Sequence, residues 1–260
     1  MSAKYLRDRK ETIMENETNE VIAGRNAVLE ALRAHRELDT IYVNETDSQF
    51  SKKVRALSRD AGVVVKAVIR QKLDSMAGGV NHQGVVAVCS CARYATVEEI
   101  LSVCAKRGTP PFLIIADEIE DPHNLGAIIR TAEACGADGV ILPKRRSASL
   151  NTTVYKTSAG AAGVVKIARV PNLVACLKEL KQKGIWIYGA EMEGRPWNEL
   201  DYRDGTALVI GSEGRGITRL VKEQCDFIVS LPMRGQINSL NASVAAGILM
   251  YEVLRQRGAE

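Results

Sequence analysis

The chain has 260 residues, of which 46% are hydrophobic and 25% charged, with a formal net charge of +4. That composition excludes a natively disordered chain and suits one large or two medium globular domains. No apolar run reaches the ~18 residues of a membrane span, and the mild basic balance is compatible with nucleic acid without requiring it.

Residues 1–19 are mostly polar and are expected to form a flexible tail, in which Arg7, Arg9 and Lys10 could act as a basic arm. They contain no hydrophobic segment like that of a signal peptide. The six cysteines, Cys89, Cys91, Cys104, Cys135, Cys176 and Cys225, are scattered without a CxxC pair. Both features favour a cytoplasmic protein with reduced thiols.

From residue 20 to 92, "TIYVN", "GVVVKAVI" and "GVVAVCS" read as strands. Between the first two, Phe50, Val54, Leu57 and Ala61 recur at helical spacing and Gly62 supplies a stop. Lys52, Arg55 and Arg59 fall on the opposite helix face. Residues 50–72 hold seven basic side chains and one acidic, which fits either a solvated face or contact with an RNA backbone. Residues 93–110 read as a linker containing a short helix that breaks at Gly108 and Pro110.

The pattern beyond Pro111 becomes a strand–helix alternation: "FLIIAD", "GVILP", "VVKIARV", "IWIYGAE", "ALVIGSE" and "FIVSLP" are continuous apolar runs. Such runs suit parallel strands covered on both faces, so the fold class is α/β with a parallel sheet. In open sheets of this kind, ligands bind at the carboxyl ends of the strands.

Three of those ends carry candidate groups. After the first, Asn124 is placed to cap a helix starting at Leu125, with Leu125, Ile128, Ile129 and Ala132 as its apolar stripe and Arg130 opposite. Glu118, Glu120, Asp121 and His123 lie nearby, but with three widely spaced histidines no metal site is expected. The second is "GSEGRGI", where Gly211, Gly214 and Gly216 permit a tight turn around Glu213. It is neither a dinucleotide fingerprint nor a P-loop. The third, "LPMRGQINSLNAS", offers Ser239 and Asn241 at the mouth of a long final helix whose inner face is read as Val244, Ile248 and Tyr251. One cap needs one residue, so the surplus polar groups suggest a polar ligand.

Together "DEIEDPHNLGAIIRTAEACGADGVIL", "LVIGSEGRGI" and "LPMRGQINSLNASVAAGILMYEVLRQR" resemble the three motifs of the SpoU (TrmH) family, S-adenosylmethionine-dependent RNA 2′-O-ribose methyltransferases of the SPOUT class. The front segment, with "IAGRNAVLEAL" and "NHQGVVAV", resembles the L30e/L7Ae-like RNA-binding domain of RlmB-type members. The resemblance implies a methyltransferase domain over 111–260 with a deep trefoil knot, a smaller N-terminal domain over 20–92, and a homodimer formed through the knotted domain. The catalytic positions it implies are Asn124, Arg130, Glu213, Ser239 and Asn241. Cofactor contacts are implied at Ala190, Ile210, Gly211, Gly216, Leu231 and Leu240, in loops 189–194, 211–216 and 231–241. By charge pattern, RNA contacts are expected at Arg25, Lys52, Arg55 and Arg59, and at Lys144, Arg145 and Arg146 after "GVILP", where a solvated loop is the other reading.

The expected reaction is in-line attack of a ribose hydroxyl on a sulfonium methyl, with a guanosine of large-subunit (23S) rRNA as target. Family proposals make Arg130 the proton acceptor. A guanidinium with a pKa above ~12 suits phosphate anchoring better, which leaves the base open among the RNA phosphate, a water and Glu213. The alternatives are a tRNA or rRNA-adenosine target, and a non-catalytic RNA-binding assembly factor.

Overall fold

The computed structural model describes residues 21–236 and 239–258, without the side chain of Asp60. The tail expected at 1–19 lies outside the described residues. The chain divides into two compact units, one of residues up to 93 with 149–152, the other of residues 94–148 and from 153 onward.

The first unit contains β1 (Val21–Ala23), α1 (Arg25–Arg33), β2 (Leu38–Asn44), α2 (Ser48–Asp60), β3 (Val64–Val68), α3 (Arg70–Ala77) and β4 (Val85–Cys89). Its four strands pair in the order β1-β4-β2-β3. Only β2 and β3 run parallel, the connection between them being the amphipathic helix α2. Asp47 caps α2 by accepting from the Phe50 amide at 3.1 Å. Val54 of that helix is fully buried against Val28, Ile41 and Val85, as its spacing predicts.

The second unit begins with α4 (Val97–Arg107), capped by a reciprocal Thr96–Glu99 box and ended by Gly108 in the left-handed region. This corrects the expected linker at 93–110: Ile100 and Cys104 are buried, and Ile100 joins the core formed by Leu113, Ile141 and Leu177. A helix with a buried apolar stripe is part of a domain, whatever the prolines after it suggest.

There follow β5 (Phe112–Ala116), α5 (Pro122–Ala134), β6 (Gly139–Pro143), α6 (Thr152–Thr157), β7 (Lys166–Val170), α7 (Leu173–Gln182), β8 (Trp186–Pro196), β9 (Thr206–Ile210), α8 (Arg219–Lys222), β10 (Phe227–Ser230) and α9 (Ala242–Arg257). Six strands form one sheet in the order β10-β8-β9-β5-β6-β7, every neighbouring pair parallel. Both faces are covered. Leu113, Ile115, Ala207 and Val209 enter one core with α4 and α7, while α9 packs on the other side against α5 and β9.

The register sets the level of the site. Ala116 lies opposite Ile210, Gly189 opposite Val209, and Asp117 N–H donates to Ile210 O at 2.8 Å. Between β8 and β10 the pairing jumps from Gly189–Ile228 to Arg195–Val229, so residues 190–194 loop out of the ladder. That excursion is one of the three expected ligand loops.

α9 departs from expectation. Val244, Ile248 and Tyr251, read as its inner face, are 49%, 36% and 54% exposed. The buried face is Ala242, Ala246, Leu249, Met250 and Val253. The helix is apolar around most of its circumference, so hydrophobic spacing does not single out one inner face.

Candidate active site

α5 starts three residues before the expected boundary. Asp121 is its cap, accepting from the His123 and Asn124 amides at 3.1 and 3.4 Å, and Pro122 occupies the first helical position. Asn124 is therefore inside the first turn rather than at the cap. Its side chain is free of capping and turns into the site, where it is 8% exposed.

There it meets the other two motifs. Asn124 Nδ2 donates to Glu213 Oε1 at 3.1 Å, and Asn241 Nδ2 donates to Asn124 Oδ1 at 2.9 Å and also to Glu213 Oε1. The Ala242 amide, at the start of α9, donates to the same glutamate oxygen at 3.4 Å. The orientation of Asn241 is fixed by its other end, since Oδ1 accepts from the Ser243 and Val244 amides at 2.9 and 3.3 Å. One residue thus caps the helix and bridges two loops. The second oxygen of Glu213 accepts from no described residue.

The glycine turn is held by its own chain. Ser212 and Gly216 exchange backbone hydrogen bonds of 3.1 and 2.9 Å. A Cβ on Gly211 would stand 2.1 Å from the Gly216 carbonyl carbon, so Gly211 makes room for the returning backbone. Gly214 and Gly216 have φ of 80° and 67°. Two carboxylates, unmarked in the sequence reading, then fasten the exit of the turn. Glu191 Oε1 accepts from the Ile217 amide at 2.9 Å and Asp117 Oδ2 from the Thr218 amide at 2.7 Å. Lys222 pairs with the other Glu191 oxygen at 3.1 Å. Burial holds the Asp117 carboxyl above the usual carboxylate range, opposed by its hydrogen bonds from Thr218. The signal for both was their place directly after apolar strand runs.

The remaining expected residues divide. Ile210 ends β9, Ala190 lies within β8 just past Gly189, its last residue paired with β9, and Leu231 follows β10. Leu240 is 38% exposed beside Asn241, and Ser239 is exposed. Of the loop 231–241, residues 237 and 238 lie outside the described residues. Arg130 is exposed on α5 and bonds to none of the Asn124, Glu213 and Asn241 side chains; among the described residues it has no ion-pair partner. In the first unit, Lys52, Arg55 and Arg59 are exposed on α2, as the spacing predicts. Arg25 is engaged internally: it pairs with Asp47, donates from Nε to Gln83 O at 3.0 Å and lies 4.8 Å from the Phe50 ring centroid. Lys144 is half-buried and Arg145 exposed after β6.

Among the described residues no group of His, Cys, Asp or Glu is arranged to hold a metal ion, and no helix is long and apolar enough to cross a membrane. All six cysteines are free.

Residues 111–251 match the SpoU rRNA Methylase family, and residues 21–95 match the substrate-binding domain of RNA 2′-O ribose methyltransferases. A Bacillus subtilis protein assigned to the TrmH family of tRNA/rRNA methyltransferases is 46% identical over 244 residues, covering 93% of this chain and 98% of that one. A Staphylococcus haemolyticus protein of the same assignment is 44% identical, covering 91% and 96%. The SpoU methyltransferase AviRb of Streptomyces viridochromogenes, solved with AdoMet, shares the fold at a TM-score of 0.59 and 23% identity, covering 98% and 99%. The A. aeolicus TrmH/SpoU tRNA modifying enzyme matches at 0.53 and 32% identity, over 61% of this chain and 84% of that one.

Proposed function

Because the chain belongs to the SpoU rRNA methylase family of RNA methyltransferases, we propose that it methylates a ribose 2′-hydroxyl, at a guanosine of large-subunit rRNA. The observation that carries the reading is the closed network of Asn124, Glu213 and Asn241, which ties all three motifs into one polar wall.

S-adenosylmethionine supplies an electrophilic methyl group on a sulfonium cation. The site suits it. The segment of β8 after Gly189 lies level with the end of β9, the loop before α9 is tied to the glycine turn through Glu213, and these stretches offer backbone groups at Ala190, Ile210, Gly211, Gly216, Leu231 and Leu240. The Glu213 carboxylate and the amide oxygens beside it match a positive charge. Asn124 and Asn241 hold Glu213 by one oxygen, leaving the other to accept the hydrogen of the ribose hydroxyl. Arg130, exposed and without an ion-pair partner among the described residues, anchors the phosphate next to that ribose. Ser239 lines the same mouth. Orientation supplies much of the rate, since aligned reactants can lower a barrier by about 7–11 kcal/mol.

The first unit is the substrate-reading part, with Lys52, Arg55 and Arg59 on phosphates and Lys144 and Arg145 adding contacts from the second. Arg25 supports that surface through Asp47 and Phe50. The protein works as a homodimer. In support, Val244, Gly247, Ile248 and Tyr251 line an apolar groove of about 770 Å³ with Thr131 and Trp197, and an exposed patch of this kind marks an interface. The domain is also taken to carry the trefoil knot that the family resemblance implies.

The test is incubation with labelled S-adenosylmethionine and purified 23S rRNA or tRNA, followed by alkaline hydrolysis. A resistant linkage mapping to one guanosine of 23S rRNA is the expected outcome. Label confined to tRNA or to an adenosine overturns the target. Binding of RNA without transfer overturns the catalytic reading.

A further inference from the structure

Three neighbouring strands, β9, β5 and β6, end side by side beneath the reaction site. Each sends one charged side chain to the same place. Glu118 follows β5, Arg146 follows β6 and Arg215 lies in the glycine turn after β9. Glu118 Oε1 accepts from Arg146 Nη1 at 2.9 Å, and Arg215 Nη1 lies 3.7 Å from Glu118 Oε2. The glutamate side chain is 13% exposed, whereas the arginines are 70% and 76% exposed.

The backbone shows that this meeting is imposed. Glu118 and Arg146 have φ of 55° and 54°. Residues with side chains seldom adopt that region, and where they do the strain tends to mark a functional site. Here both ends of one ion pair are strained, and the loops are joined again by Ala148 N–H donating to Ile119 O at 2.8 Å. Two guanidiniums against one shielded carboxylate leave an excess positive charge, with Glu120 adding a weaker, more distant attraction on Arg146. Each guanidinium has five N–H donors and needs few of them for Glu118. The donors left over lie on the exposed side.

We propose that Arg146 and Arg215, positioned by Glu118, form a two-pronged phosphate site that takes the RNA backbone beside the ribose being methylated. Arg215 stands two residues from Glu213, within about 7 Å along the chain, which puts this phosphate next to the reacting sugar. Paired guanidiniums suit a phosphodiester because planar forks bind its two free oxygens together. The site rests on the RNA-methylase reading and extends it by pairing Arg146 with Arg215, a residue outside the expected set.

Full-length Arg146→Ala and Arg215→Ala proteins, with Arg→Lys partners, are compared with wild type for RNA KM, salt dependence of RNA binding, and S-adenosylmethionine affinity by calorimetry. The expected result for each alanine variant is an RNA KM raised roughly 5- to 30-fold and a log–log salt slope reduced by about 1, with cofactor affinity unmoved. The lysine variants keep the slope and recover only part of the KM. Unchanged KM and slope in folded alanine variants overturn the site. So does a loss of cofactor affinity as large as the loss for RNA, which makes the arginines braces for the turn. If the alanine variants melt far below wild type, the lysine variants decide by the same KM criterion. A wild-type protein that binds cofactor but methylates no RNA refutes the underlying reading instead.

Discussion

Asn241 uses both ends of its amide, the oxygen on the first turn of α9 and the nitrogen on Glu213 and Asn124. Asn241→Asp separates these roles. The capping oxygen survives, but a second anion now faces Glu213. We expect melting within about 1 kcal/mol of wild type, because Asp and Asn cap alike, and kcat reduced roughly 100-fold, comparable to losing one preorganised donor. Circular-dichroism melts and single-turnover assays read the two effects separately. Asp117 gives a pH prediction. Its folded value is raised by burial, so the folded state binds the proton more tightly than the unfolded one. Its contribution to stability therefore falls as pH rises through the folded value and is restored as pH falls toward the ordinary carboxylate value. Asp117→Asn keeps an acceptor for Thr218 N–H and removes the buried charge. The variant should melt at or above wild type at pH 8, with wild type gaining on it as the pH is lowered. Melting curves across pH 4–8 that stay parallel would contradict this.

α9 and the glycine turn show how an element is constrained from two sides. The helix buries Ala246, Leu249 and Met250 on the sheet yet presents Val244, Ile248 and Tyr251 outward. Spacing signals an inner face only when the other face is polar, and here neither is. If the proposed homodimer forms, a second copy of the chain covers the outer stripe, and Ile248→Asp should yield monomers by sedimentation, with the melting temperature of the monomer little changed; a folded dimer would remove the argument. In the turn, Gly211→Ala sets a methyl 2.1 Å from the backbone of Gly216. The turn must open, and S-adenosylmethionine binding should fall at least about tenfold by calorimetry. The helix boundary at α5 was missed because Asn124 is itself a good capping residue. Asp121 wins since Pro122 fits the first helical position and has no amide to satisfy.

At the scale of the molecule, the two units differ in kind. One is a mixed four-stranded sheet with a basic helix face, the other a six-stranded parallel sheet whose strand ends converge. A ligand bound only by the folded second unit stabilises it by mass action, by about 2.7 kcal/mol at a hundredfold excess over Kd. S-adenosylmethionine should accordingly raise the melting temperature in a concentration-dependent way, and Asn241→Asp should blunt that rise. A melting temperature indifferent to saturating cofactor would speak against the site.

The order of strands along the chain, the two-part organisation and the three loaded strand ends follow from local facts: apolar runs, stops at glycine, and polar surplus where a single cap suffices. These depend on neighbours within a few residues, which the sequence displays directly. Tertiary structure decided which strand ends are adjacent, and with that the meeting of Asn124, Glu213 and Asn241. It also decided which side of α9 is buried and that Glu191, Asp117 and Glu118 brace the loops. Such pairings join positions from 26 to 117 residues apart, and their partners are chosen by sheet order and packing, which no local pattern encodes.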